Sequence, residues 1–303
     1  MPASNLPPLY ILAFDHRASL IKMFGENGGT FQGRKVDFSE LKEVIFDGLL
    51  ESLGPLRLAP SDVGILVDEE CGAAIAHRAK ELGIVLAMPA ERSMQEVFEL
   101  EYGEAFDRHI EAFEPDQVKV LAIRNDAIKP ESVSLSKSRL KELSDWLKPR
   151  PYKFMLELLV FPTPEQLASV GGSRERFDTE LRPSMMVETI AQYQEAGIEA
   201  DVWKVEGLTE VADYQAVADQ ARAGGRDHVA CIILGRGAEE PVILDWTRKA
   251  ARVPGFTGFA IGRSTWADSL VGLMDGSLSR AEAVSAIAAR FSSYVETFRA
   301  ERD

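Results

Sequence analysis

Residues 9–20 read LYILAFDHRASL, and this stretch separates two common ways of folding alternating strands and helices. The apolar run from Leu9 to Phe14 predicts a buried strand, which ends at charged residues and leads into a helix-like segment. An open, doubly wound sheet usually carries a glycine-rich turn after its first strand, and DHRASL contains no glycine. The stretch therefore favours a closed barrel.

Seven further apolar runs follow, each bounded by Gly, Pro, Asp or Glu and each followed by a helix-like segment. The eight predicted strands are Leu9 to Phe14, Val63 to Val67, Ile84 to Met88, Val118 to Ile123, Phe154 to Phe161, Asp201 to Val205, Val229 to Leu234 and Phe256 to Ile261. The predicted helices are Ser39 to Ser52, Gly72 to Leu82, Tyr102 to Phe113, Ser138 to Leu147, Pro183 to Ala196, Tyr214 to Ala223, Pro241 to Arg252 and Arg280 to Arg299. Continuously apolar strands indicate a sheet buried on both faces, so the pattern predicts an α/β fold: one (β/α)8 TIM barrel spanning residues 1–303 as a single domain.

The longer connections, Gly25 to Val36 and Thr163 to Leu181, are polar and contain glycine. Such segments are typical of loops over a site rather than of linkers between domains.

Charge and composition exclude several classes of partner. The formal charge is −14 and no block rich in Lys or Arg is present, which argues against binding to nucleic acid or anionic membranes. Cys71 and Cys231 lie in or beside apolar segments, which is typical of reduced, buried thiols and indicates a cytoplasmic protein. The N-terminal residues have no basic region, and their apolar run is too short for a signal peptide or a membrane span.

Charged residues cluster at the predicted carboxyl ends of the strands, where barrels of this kind place their active sites. They are Asp15, His16, Arg17, Asp68, Glu69, Glu70, Glu91, Arg92, Lys119, Glu157, Lys204, Glu206, Arg236 and Arg263.

Lys119, Glu157 and Lys204 each interrupt an otherwise apolar strand, in QVKVLAI, KFMLELLVF and DVWKVEG. An unpaired buried charge costs several kcal/mol, so the three groups need partners or a function. We predict that Lys204 is a nucleophilic amine that forms a Schiff base with a ketone, with Lys119 as a neighbouring ammonium that lowers its pKa. Glu157 is the predicted general acid and base. The alternative is a structural network of salt bridges inside the barrel.

Two glycine-containing segments, ILGRGAEEP and AIGRSTW, follow the seventh and eighth strands. These loops are the recurring phosphate site of the fold. Gly235, Gly237 and Gly262 allow backbone N–H groups to approach an anion, and Arg236 and Arg263 supply planar donors for phosphate oxygens. The sequence therefore predicts a phosphate site here, although either arginine alone is equally typical of a surface ion pair.

These residues resemble the class I aldolase group that contains tagatose 1,6-bisphosphate aldolase and sulfofructosephosphate aldolase. The sequence is more similar still to the aldolase-like module fused to 5-dehydro-2-deoxygluconokinase in some myo-inositol pathways. The matching segments run in order along the chain: YILAFDHRASLIKMFG, VKVL, FMLELLVF, ADVWKVEG, LGRGA and FAIGRSTW. The resemblance implies the roles given above for Lys204, Lys119 and Glu157, and it adds Asp15, with Arg17 beside it, to the site.

The resemblance also assigns phosphate contact to Arg263. Where the tagatose-type aldolases carry Gln and Gly in D-Q-R-G, this chain has His16 and Ala18. The resemblance implies cleavage of a phosphorylated ketose or keto acid to dihydroxyacetone phosphate and an aldehyde, with no cofactor. For the inositol pathway the substrate is 2-deoxy-5-keto-D-gluconate 6-phosphate and the aldehyde is malonate semialdehyde. The carboxylate at the far end of this substrate can contact Arg17, Arg92 or Arg124.

Two rival functions remain at this point. Metal-dependent aldol cleavage commonly uses several His ligands at strand ends, whereas only His16 and His228 lie near such ends and His228 precedes its strand. Asp68, Glu69 and Glu70 offer a weaker alternative as Mg²⁺ ligands. The other rival is a non-catalytic sugar-phosphate-binding barrel that serves as a sensor or a partner subunit. Association into a homo-oligomer through the outer helices is also possible.

Overall fold

Eight parallel strands close into a barrel in the computed structural model, which describes residues 6–93 and 95–302. The barrel strands are β1 Leu9–Ala13, β2 Val63–Leu66, β3 Val85–Pro89, β4 Gln117–Arg124, β5 Lys153–Val160, β6 Val202–Glu206, β7 Ala230–Leu234 and β8 Phe256–Ile261. β1 pairs in parallel with both β2 and β8, which closes the sheet. The prediction of a (β/α)8 TIM barrel is confirmed, and every predicted strand boundary lies within one residue of the observed one.

Helices follow the strands and form the outer layer. They are α1 Arg17–Phe24, α2 Phe38–Leu56, α3 Glu69–Leu82, α4 Phe106–Phe113, α5 Pro130–Leu147, α6 Pro164–Ser169, α7 Arg174–Glu180, α8 Arg182–Glu195, α9 Val211–Arg222, α10 Glu240–Ala251, α11 Arg263–Asp275 and α12 Arg280–Arg302. Eight of them correspond to the predicted helices. Short 3-10 turns precede β2 and α4, so the predicted helix start at Tyr102 is wrong because the chain makes a 3-10 turn there before α4 begins.

Both segments that were predicted as loops contain regular structure. The prediction for Thr163 to Leu181 is wrong, because α6 and α7 lie within it. Thr163 caps α6 by accepting from the backbone N–H of Gln166, whose side chain accepts from the N–H of Thr163 in return. Ser173 caps α7 by accepting from the backbone N–H of Arg176. Between residues 25 and 36 the chain forms a short antiparallel hairpin, Thr30–Phe31 with Arg34–Lys35.

An apolar cluster fills the interior of the barrel and explains where the charged side chains point. Its buried members include Met155 of β5 and Val202 of β6. Successive side chains of a strand point to opposite faces, so Glu157 and Lys204, two residues further along, face the same interior. The apolar cluster therefore packs the middle of the barrel, and the charged groups lie next to it, nearer the carboxyl ends of the strands.

Cys71 and Cys231 are free and buried. Across the part of the chain that the structure describes, no helix combines the length and the apolar character needed to cross a membrane. The expectation that the N-terminus carries no signal peptide concerns in part residues 1–5, which lie outside the described residues.

Candidate active site

Lys204, Glu157 and Lys119 form a continuous chain of ion pairs at the carboxyl end of the barrel. Glu157 lies beside Lys204 in the register of β5 and β6, and its Oε1 is 2.9 Å from Lys204 Nζ. The other carboxylate oxygen, Oε2, is 2.8 Å from Lys119 Nζ. Lys119 and Lys204 are each only 4% exposed. One carboxylate is thus shared between two buried amines.

Two further carboxylates hold Lys119. Its Nζ lies 2.7 Å from Glu91 Oε1 and 3.4 Å from Asp15 Oδ2. Burial alone would lower the pKa of Lys119, but the charges of Glu157, Glu91 and Asp15 outweigh burial and raise this pKa well above its ordinary value. Lys119 is therefore a permanent ammonium at neutral pH. Its predicted role as the positive neighbour of Lys204 stays a prediction.

The carboxyl groups of Glu157 and Asp15 are ionised for the same reason. Burial raises the pKa of each group, but the nearby lysines overcome burial, so both pKa values lie below their ordinary range. Lys119 is the largest single cause of this lowering in each case, and Lys204 adds to it. Both groups are therefore carboxylates at neutral pH.

Glu91 is a site residue whose role could not be predicted from the sequence. It lies two residues after the end of β3 and is 2% exposed. Its Oε1 binds Lys119, whereas Oε2 is buried without a hydrogen-bond partner among the described residues. Burial raises the pKa of this carboxyl group more than Lys119 lowers it. The only signal in the sequence was a charge two to three residues after an apolar strand.

His16 lies beside Asp15 at the edge of the same cavity. Its Nδ1 is 3.5 Å from Asp15 Oδ1, and its ring meets the ring of Trp266 edge-on with centroids 5.6 Å apart. Desolvation in this environment is the main reason that its pKa falls to about 4, although the charge of Asp15 opposes the fall. His16 is therefore a neutral imidazole at neutral pH.

The two glycine-containing loops lie at the mouth of this site and border a cavity of about 330 Å³. Gly235, Gly237, Gly262 and Arg263 all line the cavity together with Lys204. Arg263 is the first residue of α11, so the N-terminal N–H groups of this helix begin at the same place. The Arg263 guanidinium makes no hydrogen bond or ion pair with any described residue. These loops supply N–H groups and a free cation for an anion.

The other two predicted anion-binding arginines also line the cavity but already have acidic partners. Arg236 Nη1 lies 2.6 Å from Glu206 Oε1 and 3.6 Å from Asp178 Oδ2. Arg17 Nη1 lies 3.0 Å from Glu70 Oε2. Arg236 also has a backbone φ of +53°, which is uncommon for a residue with a side chain. A ligand must compete with these carboxylates for either arginine.

Arg92 and Arg124 were predicted to be able to meet a carboxylate at the far end of the substrate. Arg92 pairs with Glu99, and Arg124 with Asp126. Of the three cations proposed for that contact, the cavity is lined by Arg17 and not by the other two, as far as the described residues show.

The acidic run after β2 is occupied by contacts within the protein. Asp68 forms a fully buried ion pair with Lys42 and caps α3 through the N–H of Cys71. Glu69 accepts a hydrogen bond from the Tyr102 hydroxyl at 2.8 Å, and Glu70 binds Arg17. Within residues 6–93 and 95–302, no three His, Cys, Asp or Glu side chains are grouped so that they could hold a metal ion.

Solved structures share this architecture. Fructose-bisphosphate aldolase from Plasmodium falciparum, solved in complex with TRAP and a small-molecule inhibitor, superposes with a TM-score of 0.67 at 12% identity, covering 99% of this chain and 94% of that chain. Cgl0159 from Corynebacterium glutamicum superposes with a TM-score of 0.59 at 15% identity, covering 93% and 85% of the two chains. At such low identity these similarities show the fold alone.

At the level of sequence, no curated protein matches the chain. A family model matches residues 2–302, which is almost the whole sequence. The chain therefore belongs to the family described as "uncharacterized protein conserved in bacteria (DUF2090)".

Proposed function

We propose that this protein is a cytoplasmic class I aldolase whose Lys204 forms an imine with a phosphorylated ketose or keto acid. The observation that carries the proposal is the pair of contacts that Glu157 makes, 2.9 Å to Lys204 and 2.8 Å to Lys119, in a buried site. Imine chemistry needs an amine next to a group that moves protons, and Glu157 is in contact with the amine. The free Arg263 at the mouth of the same cavity supports a phosphorylated substrate.

Each chemical step has a candidate residue. Lys204 transfers a proton to Glu157, and the neutral amine attacks the ketone carbon to give a carbinolamine. Glu157 returns a proton to the departing hydroxyl group, water leaves and the protonated imine forms. Glu157 then removes the proton of the hydroxyl group at the cleaved bond, the aldehyde departs and the electron pair flows into the imine to give an enamine. Lys119 stays charged throughout and stabilises the anionic form of Glu157.

The charges that line the cavity favour a substrate with one phosphate. Arg17 and Arg236 are each already paired with two carboxylates, whereas Arg263 has no ion-pair partner among the described residues. A bisphosphate needs a second free cation, but a single carboxylate needs only a share of Arg17. We therefore favour 2-deoxy-5-keto-D-gluconate 6-phosphate, cleaved to dihydroxyacetone phosphate and malonate semialdehyde, over tagatose 1,6-bisphosphate. Sulfofructose 1-phosphate, with one phosphate and one sulfonate, is the alternative substrate.

Trapping with borohydride tests the imine directly. Treatment with sodium borohydride in the presence of dihydroxyacetone phosphate is expected to add the mass of the reduced ketose phosphate to the peptide that contains Lys204. The three candidate substrates are then assayed in parallel for release of dihydroxyacetone phosphate. Absence of an adduct together with EDTA-sensitive activity would indicate metal-dependent cleavage. Phosphate binding without an adduct or any release would indicate a non-catalytic sensor.

Arg263→Ala is expected to raise the Kd for dihydroxyacetone phosphate about 10- to 100-fold, because a hydrogen bond to a charged group contributes about 1.5–3 kcal/mol. The affinity for unphosphorylated dihydroxyacetone is expected to stay the same. Competition in the borohydride assay measures both affinities. Arg252→Ala is the matched control, since Arg252 is an exposed arginine that is paired with Glu301 on the outer surface. An equal loss for both ligands would show that Arg263 does not bind the phosphate.

Glu91→Gln is expected to lower kcat about tenfold, which is less than the 10²- to 10⁴-fold loss typical of removing a direct acid or base. The reason is that Glu91 acts through Lys119, whose pKa falls when one of its three carboxylates is removed. The pH profile of kcat distinguishes this role from simple support of the fold. A lower Lys119 pKa is expected to move the alkaline limb of the profile to lower pH, whereas a purely structural loss would leave the limb in place.

A further inference from the structure

One proton transfer in the proposed cleavage has no residue assigned to it. After the aldehyde departs, the enamine on Lys204 must gain a proton at carbon before the product can be hydrolysed from the lysine. Glu157 at that moment holds the proton it took from the hydroxyl group, next to the departing aldehyde. A second group is needed beside the three-carbon fragment, between Lys204 and the phosphate loops.

His16 occupies that region. It lines the cavity together with Lys204 and Arg263. Its Cε1 atom would lie only 2.6 Å from a Cβ placed on Gly262, so the ring packs directly against the second phosphate loop. On its other side it meets Asp15, which contacts Lys119. A fragment that spans from Arg263 to Lys204 passes this ring.

The two nitrogens of the ring are in different environments. Nδ1 is enclosed, faces Asp15 Oδ1 at 3.5 Å and makes no hydrogen bond with any described residue. Nε2 is not enclosed in this way, and the side chain is 27% exposed. Because Asp15 is an acceptor only, it favours the tautomer with the hydrogen on Nδ1. The lone pair of Nε2 is then free on the accessible side of the ring.

We infer that His16 is the residue that exchanges a proton with the enamine carbon, and that its ring nitrogen Nε2 carries this proton. This inference rests on the proposed aldolase function and adds a catalytic residue to it. In the direction of carbon–carbon bond formation, Nε2 accepts a proton from the carbon next to the protonated imine. The electron pair of that C–H bond becomes the enamine double bond, and the imine nitrogen becomes neutral. In cleavage Nε2 first takes a proton from solvent on its accessible side, and the imidazolium then gives that proton to the carbon, which restores the protonated imine and the neutral imidazole.

The neighbouring charges suit this task. Asp15 stabilises the imidazolium that forms during the transfer, while Lys204 and Arg263 disfavour it before a substrate binds. The histidine is therefore neutral in the empty site, as a base must be, and becomes more basic when a phosphate dianion offsets Arg263.

Exchange of hydrogen in heavy water isolates this step from the others. Wild-type enzyme incubated with dihydroxyacetone phosphate in heavy water is expected to replace one hydrogen on the unphosphorylated hydroxymethyl carbon with deuterium. Proton NMR measures the rate of this exchange. His16→Gln is expected to slow this exchange at least about 100-fold, as loss of a general base does. Borohydride trapping of the same ligand on Lys204 is expected to stay within about twofold of wild type, because imine formation uses Glu157.

Each outcome decides between explanations. Exchange at the wild-type rate in His16→Gln overturns the inference and assigns the proton transfer to Asp15 or Glu157. Loss of trapping together with exchange, in both His16→Gln and His16→Asn, also overturns it, since the histidine would then act before the enamine forms. Failure of wild-type enzyme to be trapped contradicts the proposed function instead. His228→Gln, which changes an exposed histidine, is the control and is expected to exchange normally.

Discussion

Lys204→Met is expected to reduce kcat/KM by roughly 10⁵-fold, on the scale seen when a covalent nucleophile is removed from an enzyme. Methionine has a similar length and an apolar body, so it fills the space of Lys204 without offering an amine. Glu157 keeps Lys119 as a partner in this variant, so no carboxylate is left buried without a counter-charge. The release of dihydroxyacetone phosphate in a coupled assay measures the loss.

The control for this variant is Lys249→Met, which removes a lysine that pairs with Asp245 on α10, outside the cavity. It is expected to retain full activity. If Lys204→Met kept more than about a tenth of the wild-type activity, the imine mechanism at this position would be wrong. A borohydride adduct on Lys119 in the variant would point to the second amine as the nucleophile.

Glu157→Gln is expected to lower kcat by about 10³-fold, within the range for loss of a general acid or base. The amide keeps the size of the side chain and can still contact both lysines, but it cannot take a proton from either of them. Single-turnover trapping with borohydride is expected to show slower imine formation, with the final extent unchanged. Wild-type activity is expected to persist below the ordinary pKa of a glutamic acid, because the Glu157 carboxyl has a lowered pKa and stays ionised there.

Glu142→Gln changes an exposed glutamate outside the cavity and is expected to match wild type. Equal rates of imine formation in Glu157→Gln and wild type would show that another group transfers the protons at Lys204. Asp15, 3.4 Å from Lys119, would then be the first alternative to test.

The fold could be predicted from the sequence because each barrel strand is buried on both faces and reads as a short apolar run. Lys119, Glu157 and Lys204 could be identified because each is a charged residue inside such an apolar run. Helices α6 and α7 are too short for a periodic pattern. Helix α11 begins at Arg263 and its N-cap residue, Gly262, has no side chain to cap it, so the usual start signal is missing.

The partners of the charged residues could not be predicted. The sequence indicated Arg236 as a phosphate ligand, but its contact with Glu206 depends on how β6 approaches the loop after β7. The contact of Glu91 with Lys119 likewise joins residues 28 positions apart, one in the loop after β3 and the other on β4. Periodicity predicts which face a side chain points to, but it does not identify the side chains it meets there.

The free guanidinium of Arg263 has a thermodynamic consequence for the empty protein. A cation with no ion-pair partner among the described residues, beside the N-terminus of α11, leaves the ligand-free state less stable than a state in which an anion occupies the loops. A ligand that binds only the folded chain stabilises it by about 2.7 kcal/mol at a hundred times its Kd. Melting-temperature shifts with a panel of sugar phosphates can therefore rank candidate substrates before any reaction is assayed, and Arg263→Ala is expected to flatten that ranking.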